Sequence, residues 1–130
     1  MSVQIEQVDG RRGTARFIDV SWRLHAGRHP EWIPPLRIVL RDLLDLRRNP
    51  FYRDADRALF IAEVDGRPVG RISAIQNRWH NRHHSDRVGF FGFFECIEDW
   101  HVAAELLRTA ERWLARRGLT SARGPMNPSM

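Results

Sequence analysis

Lysine is absent from this sequence: all 21 basic residues are arginine, set against 16 acids for a net charge of +5. An all-arginine complement reads as nucleotide bias in the coding sequence rather than selection for phosphate contacts. The arginines are also spread along the chain and interleaved with acids, whereas a nucleic-acid footprint is a clustered patch. Nucleic acid is therefore not the expected partner. A single cysteine, Cys96, excludes an internal disulfide framework and a cysteine-based structural zinc site. No apolar run approaches the ~20 residues of a membrane span. The start, Met1-Ser2-Val3-Gln4-Ile5-Glu6, has neither a basic leader nor an apolar signal segment, so a cytoplasmic protein is expected. Repeats, low-complexity tracts and linkers are also lacking, and 130 residues make one domain, 1–130. A chain of that size buries roughly two thirds of the surface its unfolded form exposes.

What is present is a sequence of periodic segments. Val3 to Val8 alternates apolar and polar residues, as a half-buried strand does. Asp9-Gly10 turns the chain, Thr14 can cap a helix, and Phe17, Ile18, Ser21, Trp22 and Leu24 follow at roughly helical spacing. His25 to Pro30 breaks that helix, and Glu31 to Pro35 is extended because residues before proline leave the helical region. A second helix opens near Pro35, with Leu36, Val39, Leu40, Leu43 and Leu44 as its apolar stripe, and ends at Asn49-Pro50. Ala58 to Val64 and Val69 to Ile75 are strands joined by Asp65-Gly66, a strong hairpin signal. Gln76 to Asp86 reads as a polar, histidine-rich loop. Val88 to Ile97 is a buried strand feeding an amphipathic helix that ends at Gly118, and Thr120 to Arg123 is a last short strand.

The order β-α-α-β-β-β-α-β, with Asp65-Gly66-Arg67-Pro68-Val69-Gly70-Arg71-Ile72 at the hairpin, resembles the GNAT (Gcn5-related N-acetyltransferase) superfamily. The segments VGFFGFFEC, WL.RRG and GPMNPS look like an uncharacterised bacterial GNAT-like group. The resemblance implies an α/β fold with a mixed sheet whose fourth and fifth strands splay apart. It implies transfer of an acetyl or acyl group from acetyl-CoA, or another acyl-CoA, to a small-molecule or peptide amine. The backbone of Phe94, Cys96 and Ile97 would hold the pantetheine arm, and the helix start at Trp100 and His101 the phosphates, where free amides and the helix dipole favour an anion. Asn127 stands where many members carry an asparagine that helps hold the cofactor; on the residues alone, Gly124-Pro125 and Asn127-Pro128 are turn dipeptides.

The chain departs from the pattern in two places. The glycine-rich phosphate loop is replaced by Cys96-Ile97-Glu98-Asp99-Trp100-His101, with two acids that suit helix capping and oppose a pyrophosphate. The family also continues past its fifth strand with a helix and two strands, so this sequence reads as the N-terminal portion of the fold, a fragment or a chain completed by a partner such as a second copy in a homodimer. These departures keep open a non-catalytic binding or interaction module.

Glu95 is the candidate catalytic base. Strand alternation puts it on a face with Phe91 and Phe93, with Phe90, Gly92, Phe94 and Cys96 on the other. A carboxylate desolvated among aromatics suits deprotonation of an amine; the alternative is a surface carboxylate paired with one of the arginines. His80, His83 and His84 invite a zinc reading, but no acid or cysteine completes a recognised spacing, so no metal is expected and an exposed loop is. His83 is a candidate proton relay. Arg108, Arg112 and Arg116 form a helix ridge, read as a solvated outer face. Cys96 as a nucleophile needs a base or positive charge nearby, and reads instead as a buried thiol. Trp22, Trp32 and Phe51 are core aromatics or the wall of an acceptor pocket.

Overall fold

Asp65 and Gly66 both adopt positive φ, 50° and 75°, the left-handed pair that a two-residue hairpin needs to follow the twist of its strands. The turn joins β2 (Ala55–Val64) to β3 (Arg67–Asn77), the two longest strands of the computed structural model, which describes residues 2–128. Around this hairpin a five-stranded sheet is built in the order β1-β2-β3-β4-β5. β1 (Gln4–Val8), β2, β3 and β4 (Val88–Cys96) are antiparallel neighbours, and β5 (Ser121–Arg123) runs parallel to β4. The parallel step is made by the crossover helix α4 (Trp100–Arg116). The mixed α/β order expected from the sequence is thus present.

Each face of the sheet is covered. α4 lays Val102, Leu106, Ala110, Trp113 and Leu114 on a face formed by Ala58, Phe60, Ala62, Ile72 and Ala74. Full burial of such side chains stabilises by about 1.5–3 kcal/mol each relative to exposure. Arg112 and Arg116 stay exposed, and Arg108 pairs with Glu105, so the ridge is a solvated face. On the other face α1 (Gly10–His25) packs Phe17, Ile18, Val20 and Leu24 against Leu59 and Ile61. α1 begins earlier than the sequence pattern places it, because Asp9 rather than Thr14 is its cap, accepting from the Gly10 amide at 2.8 Å.

Two expectations are corrected. The region expected as a loop at 76–86 contains a short helix, α3 (Arg78–His84). Asn77 caps it by accepting from the His80 amide (3.0 Å), and the Asn81 side chain ties it to the backbone of Val88. The second helix, α2 (Arg37–Leu44), buries only part of its apolar stripe. Leu44 is fully buried and Leu40 and Leu43 partly so, whereas Leu36, Ile38 and Val39 are 69, 61 and 46 % exposed. The helix touches the core at its C-terminal end only, where buried Arg57 of β2 donates to the Leu44 carbonyl (2.7 and 3.1 Å) and pairs with Asp9 (3.0 Å).

Candidate active site

The site begins with an irregularity in β4. Gly92 lies opposite Ser73 and Glu95 opposite Arg71, so β4 carries two residues, Phe93 and Phe94, where β3 carries only Ile72. The extra residue is accommodated as a β-bulge, with Phe93 at φ +52°, in the left-handed region where a non-glycine residue is strained. The bulge shifts the alternation. Phe93 enters the α1 core, edge-on to Phe17 with ring centroids 6.1 Å apart, while Phe91 and Phe94 pack against the α4 core. The expected face of Phe91, Phe93 and Glu95 is therefore not formed: Phe93 and Glu95 share the α1 side, and Phe91 lies on the other.

The bulge delivers Glu95 to a polar cluster rather than an aromatic pocket. Arg71 of β3, 5 % exposed, places Nη2 2.9 Å from Glu95 Oε2. Its other donors are taken up inside the protein: Nε by the Phe93 carbonyl (3.2 Å) and Nη1 by the carbonyls of Phe17 (3.1 Å) and Ile18 (3.4 Å). Burial pulls the Arg71 guanidinium below its ordinary value, and the charge of Glu95 opposes that shift. From α1, Ser21 Oγ donates to Glu95 Oε2, and His25 Nε2 lies 3.1 Å from Oε1. His25 Nδ1 is in turn 2.8 Å from Nδ1 of His29, and the His25 ring stacks on Trp32 with centroids 5.4 Å apart. Ser21 and His25 are one helical turn apart, so one face of α1 presents both to the same carboxylate.

The residues expected along the cofactor strand are brought together at the other side of the bulge. β5 is in register with β4 only at Val88, Gly89 and Phe90. Beyond them the chain crosses the β4 edge: the Met126 amide donates to the Phe91 carbonyl (2.8 Å), and Asn127 Oδ1 accepts from the Phe93 amide (3.0 Å). The crossing is close enough that a Cβ on Gly92 would sit 2.3 Å from the Met126 carbonyl oxygen. Phe94 to Cys96 lie past this crossing and pair with no residue of β5. Ser129, the last residue of the GPMNPS segment, lies outside the described residues.

The helix start is less accommodating. Asp99 caps α4, its carboxylate accepting from the amides of His101 (2.8 Å) and Val102 (3.3 Å). Trp100 is 84 % exposed and His101 is exposed. The amides that would meet a phosphate are thus occupied by a carboxylate. Beside this junction lies a cavity of about 350 Å3 whose wall includes Arg23, Arg28 and Arg67 together with Leu24, Val69 and Ile97. Cys96, half-buried, has its thiol pushed up by burial and by the charge of Asp99, the opposite of what a nucleophile needs.

The remaining candidates fall elsewhere. Among the described residues no group of three or more histidine, cysteine and acidic side chains is placed to hold a metal. His83 stacks on Trp79 of its own helix, centroids 4.0 Å apart, remote from Glu95 in the contacts it makes. Phe51 packs against Ile75, Val88 and Phe90. Trp22 and Trp32, edge to face at 5.4 Å, instead adjoin His25. Sequence reading missed Ser21, His25, His29 and Arg71. The usable signal was Arg71, a charge in the middle of an apolar strand, which a protein retains there only with a partner.

No family profile matches the chain. Over 116 residues it is 41 % identical to a Caulobacter vibrioides protein described as bacterial ceramide synthase, covering 88 % of this chain and 30 % of the relative. Over 98 residues it is 34 % identical to protein YghO of Escherichia coli, covering 75 % of this chain and 25 % of that protein. The chain thus spans between a quarter and a third of the length of these curated relatives. Among solved structures, a soil-metagenome aminoglycoside acetyltransferase in complex with sisomicin superposes with a TM-score of 0.64 at 12 % identity, over 96 % of this chain and 78 % of the other. A predicted acetyltransferase from Clostridium acetobutylicum with acetyl-CoA gives 0.62 at 11 %, over 97 % and 82 %. A tandem GNAT protein from the clavulanic acid biosynthesis pathway gives 0.62 at 14 %, over 98 % and 40 %. These solved structures share the five-stranded mixed architecture, and the chain has the fold of the GNAT acetyltransferases.

Proposed function

We propose that this chain carries the acyl-transfer site of a GNAT-like N-acyltransferase, moving an acyl group from a CoA thioester to an amine, with Glu95 as the base. The observation that carries this reading is Glu95 itself: a carboxylate directly after the β4 bulge, held by Ser21, His25 and Arg71. In the reaction the amine nitrogen bonds to the thioester carbonyl carbon, the C–S bond breaks, and Glu95 takes the proton that the nitrogen loses. The thiolate leaves as free CoA. Proximity supplies most of the rest.

For the thioester substrate, the backbone of Phe94 and Cys96 would hold the pantetheine arm, with Asn127 fixing the bulge beside it; Ile97 is already engaged, its amide donating to the Val69 carbonyl (2.9 Å) and its carbonyl accepting from the Asp99 amide (2.7 Å). Two sites compete for its phosphates. One is the start of α4 at Trp100 and His101, from which Asp99 must withdraw its carboxylate; the other is the cavity bordered by Arg23, Arg28 and Arg67. The acceptor class is suggested by the relative described as a ceramide synthase. A ceramide is the fatty amide of a long-chain amino alcohol, and the exposed Ile33, Leu36, Ile38 and Val39, near Trp22 and Trp32, suit an apolar acceptor. A cytoplasmic setting and a homodimer belong to this reading as well.

Release of free thiol from acetyl-CoA and palmitoyl-CoA in the presence of sphinganine tests the reading. Glu95→Gln is expected to lower kcat by about 100-fold or more while leaving CoA affinity unchanged; an unaltered rate removes Glu95 from the mechanism. Asp99→Asn keeps a capping oxygen without the charge, so tighter acetyl-CoA binding assigns the phosphates to the helix start. Weaker binding in Arg67→Glu alone assigns them to the arginine cavity. The capped helix favours one other reading, a non-catalytic module, and calorimetry that detects no heat with acetyl-CoA selects it.

A further inference from the structure

The polar cluster does not stop at Glu95. His25 Nε2 meets Glu95 Oε1 at 3.1 Å, and His25 Nδ1 meets His29 Nδ1 at 2.8 Å. His29 is exposed, whereas His25 and Glu95 keep only 24 and 29 % of their side-chain surface. The chain of contacts therefore runs from a half-buried carboxylate to solvent through two imidazoles. We infer that His25 and His29 form the proton exit of Glu95, an inference that rests on Glu95 being the base.

Each neighbour has a part in this. Arg71 on β3 and Ser21 on α1 both engage Oε2, which leaves Oε1 to His25. Trp32 stacks on His25 and fixes its plane, and the Trp32 amide donates to the His29 carbonyl (3.0 Å), so the turn after α1 holds the second ring in place. The His29 amide also donates to the His25 carbonyl (3.0 Å), continuing the helical bonding that sets the two rings four residues apart on one side. The arrangement balances as a relay. Starting from the tautomer in which His25 carries its proton on Nδ1, protonated Glu95 donates to Nε2 of His25, Nδ1–H of His25 donates to Nδ1 of His29, and Nε2–H of His29 passes to water, which leaves Nε2–H of His25 donating to the Glu95 carboxylate as in the resting site. The carboxylate is regenerated, both rings end neutral in the opposite tautomer, and exchange with solvent resets them. His25 and His29 touch no reacting atom in this scheme; they are positioning and relay residues.

Two measurements decide it. In dilute buffer, with palmitoyl-CoA and sphinganine, His29→Ala is expected to lower kcat by about tenfold with the amine KM unchanged, and added imidazole to restore the rate. A rate that does not fall, or falls without rescue, overturns the relay. The second readout needs no turnover: nitrogen-15 spectra of the imidazoles in the resting protein. Glu95→Gln is expected to shift the ring resonances of both His25 and His29, since a change at Oε1 is carried through the shared contact; a His29 signal that does not move removes the connection. Failure of acyl transfer with every amine overturns the proposed reaction and the relay's role in it, whereas uncoupled spectra with transfer intact overturn the relay alone.

Discussion

Arg71 is the residue on which the site's geometry depends. A guanidinium buried to this degree is tolerated because each side of it is answered: Glu95 on one side and three backbone carbonyls, of Phe17, Ile18 and Phe93, on the other. Arg71→Met removes the donor set and leaves these acceptors facing an apolar side chain, a loss expected at about 3 kcal/mol in chemical denaturation. The Arg71→Met and Glu95→Gln losses should be less than additive, since the second variant removes part of what the first strands. Arg71→Lys keeps the charge, yet a single ammonium cannot span the Phe93 carbonyl, the Phe17 carbonyl and the Glu95 carboxylate together, so it recovers only part of the loss. Cys96 offers a contrasting prediction. Burial and Asp99 hold its thiol above the ordinary value, so alkylation by iodoacetamide at neutral pH should be slow. Asp99→Asn, which removes the opposing charge, should speed it; no change would mean that burial alone sets the reactivity.

The element that gives the site its shape is β4, and much of it was legible in the sequence. The run Val88 to Ile97 announces a buried strand, Asp65-Gly66 a hairpin, and the spacing of Ala103, Leu106, Leu107, Ala110, Trp113 and Leu114 a helix with one buried side, of which Ala103 and Leu107 are only partly buried and Val102 is fully so. The bulge was not legible. Its left-handed residue is Phe93, not a glycine, and what holds it there is distant in sequence: the Phe17 ring and the Asn127 side chain. Because the bulge decides which side Glu95 faces, the catalytic candidate was identifiable while its surroundings were not. The partial exposure of α2 escaped for a different reason: an apolar stripe predicts that a face wants cover, not what covers it. α3 escaped because Asn77 and Asn81 define it through side-chain bonds that composition does not reveal. The link between β4 and the segment after β5 can be tested at Gly92. A methyl group there meets the Met126 carbonyl and Asn127 Oδ1 at 2.3 and 2.5 Å, backbone and a hydrogen-bonded oxygen rather than a flexible tip. Gly92→Ala is expected to cost about 1–3 kcal/mol and to expose the Phe93 amide to hydrogen exchange. Asn127→Ala should raise exchange at the same amide with a smaller loss of stability. Protection of Phe93 unchanged in both variants would show that Asn127 does not hold the bulge.

At the scale of the whole molecule, charge and burial together set a stability window in pH. On the acid side Glu6 is held below the ordinary carboxylate range by Arg16, Asp54 by Arg82 and Asp45 by the amides of Arg47 and Arg48. Carboxylates lowered in the fold stabilise it above their unfolded values, and that contribution is lost as pH falls through the folded ones. All three sit at the surface, so each contributes little and the acid limb should be shallow. The alkaline limb has two origins: Cys96, whose thiol the fold holds above its ordinary value, and Tyr52. Tyr52, the single tyrosine of the chain, is 7 % exposed, and burial pushes its hydroxyl up from 10.0 to about 12. Here the neutral form is the one the fold favours. Its contribution is complete below about pH 10, where the unfolded chain is also neutral, and is lost as pH rises toward 12, for a total of about 3 kcal/mol. The melting temperature should therefore be nearly flat between about pH 5 and 8 and fall more steeply above that range than below it, first as the unfolded thiol ionises and then as the unfolded phenol does. Tyr52→Phe isolates the cause. The Leu43 carbonyl that accepts from the tyrosine hydroxyl (3.0 Å) also accepts from Asn49 Nδ2 (3.0 Å), so the variant strands no acceptor and should fold with nearly normal stability at pH 8. It should then lose the part of the alkaline fall that the phenol causes, while the acid limb stays unchanged. Phenolate absorbance gives the independent check, because one tyrosine gives one titration. It should appear near pH 12 in the folded protein and near 10 once denaturant is added, and a folded titration near 10 would show that Tyr52 does not set the alkaline edge.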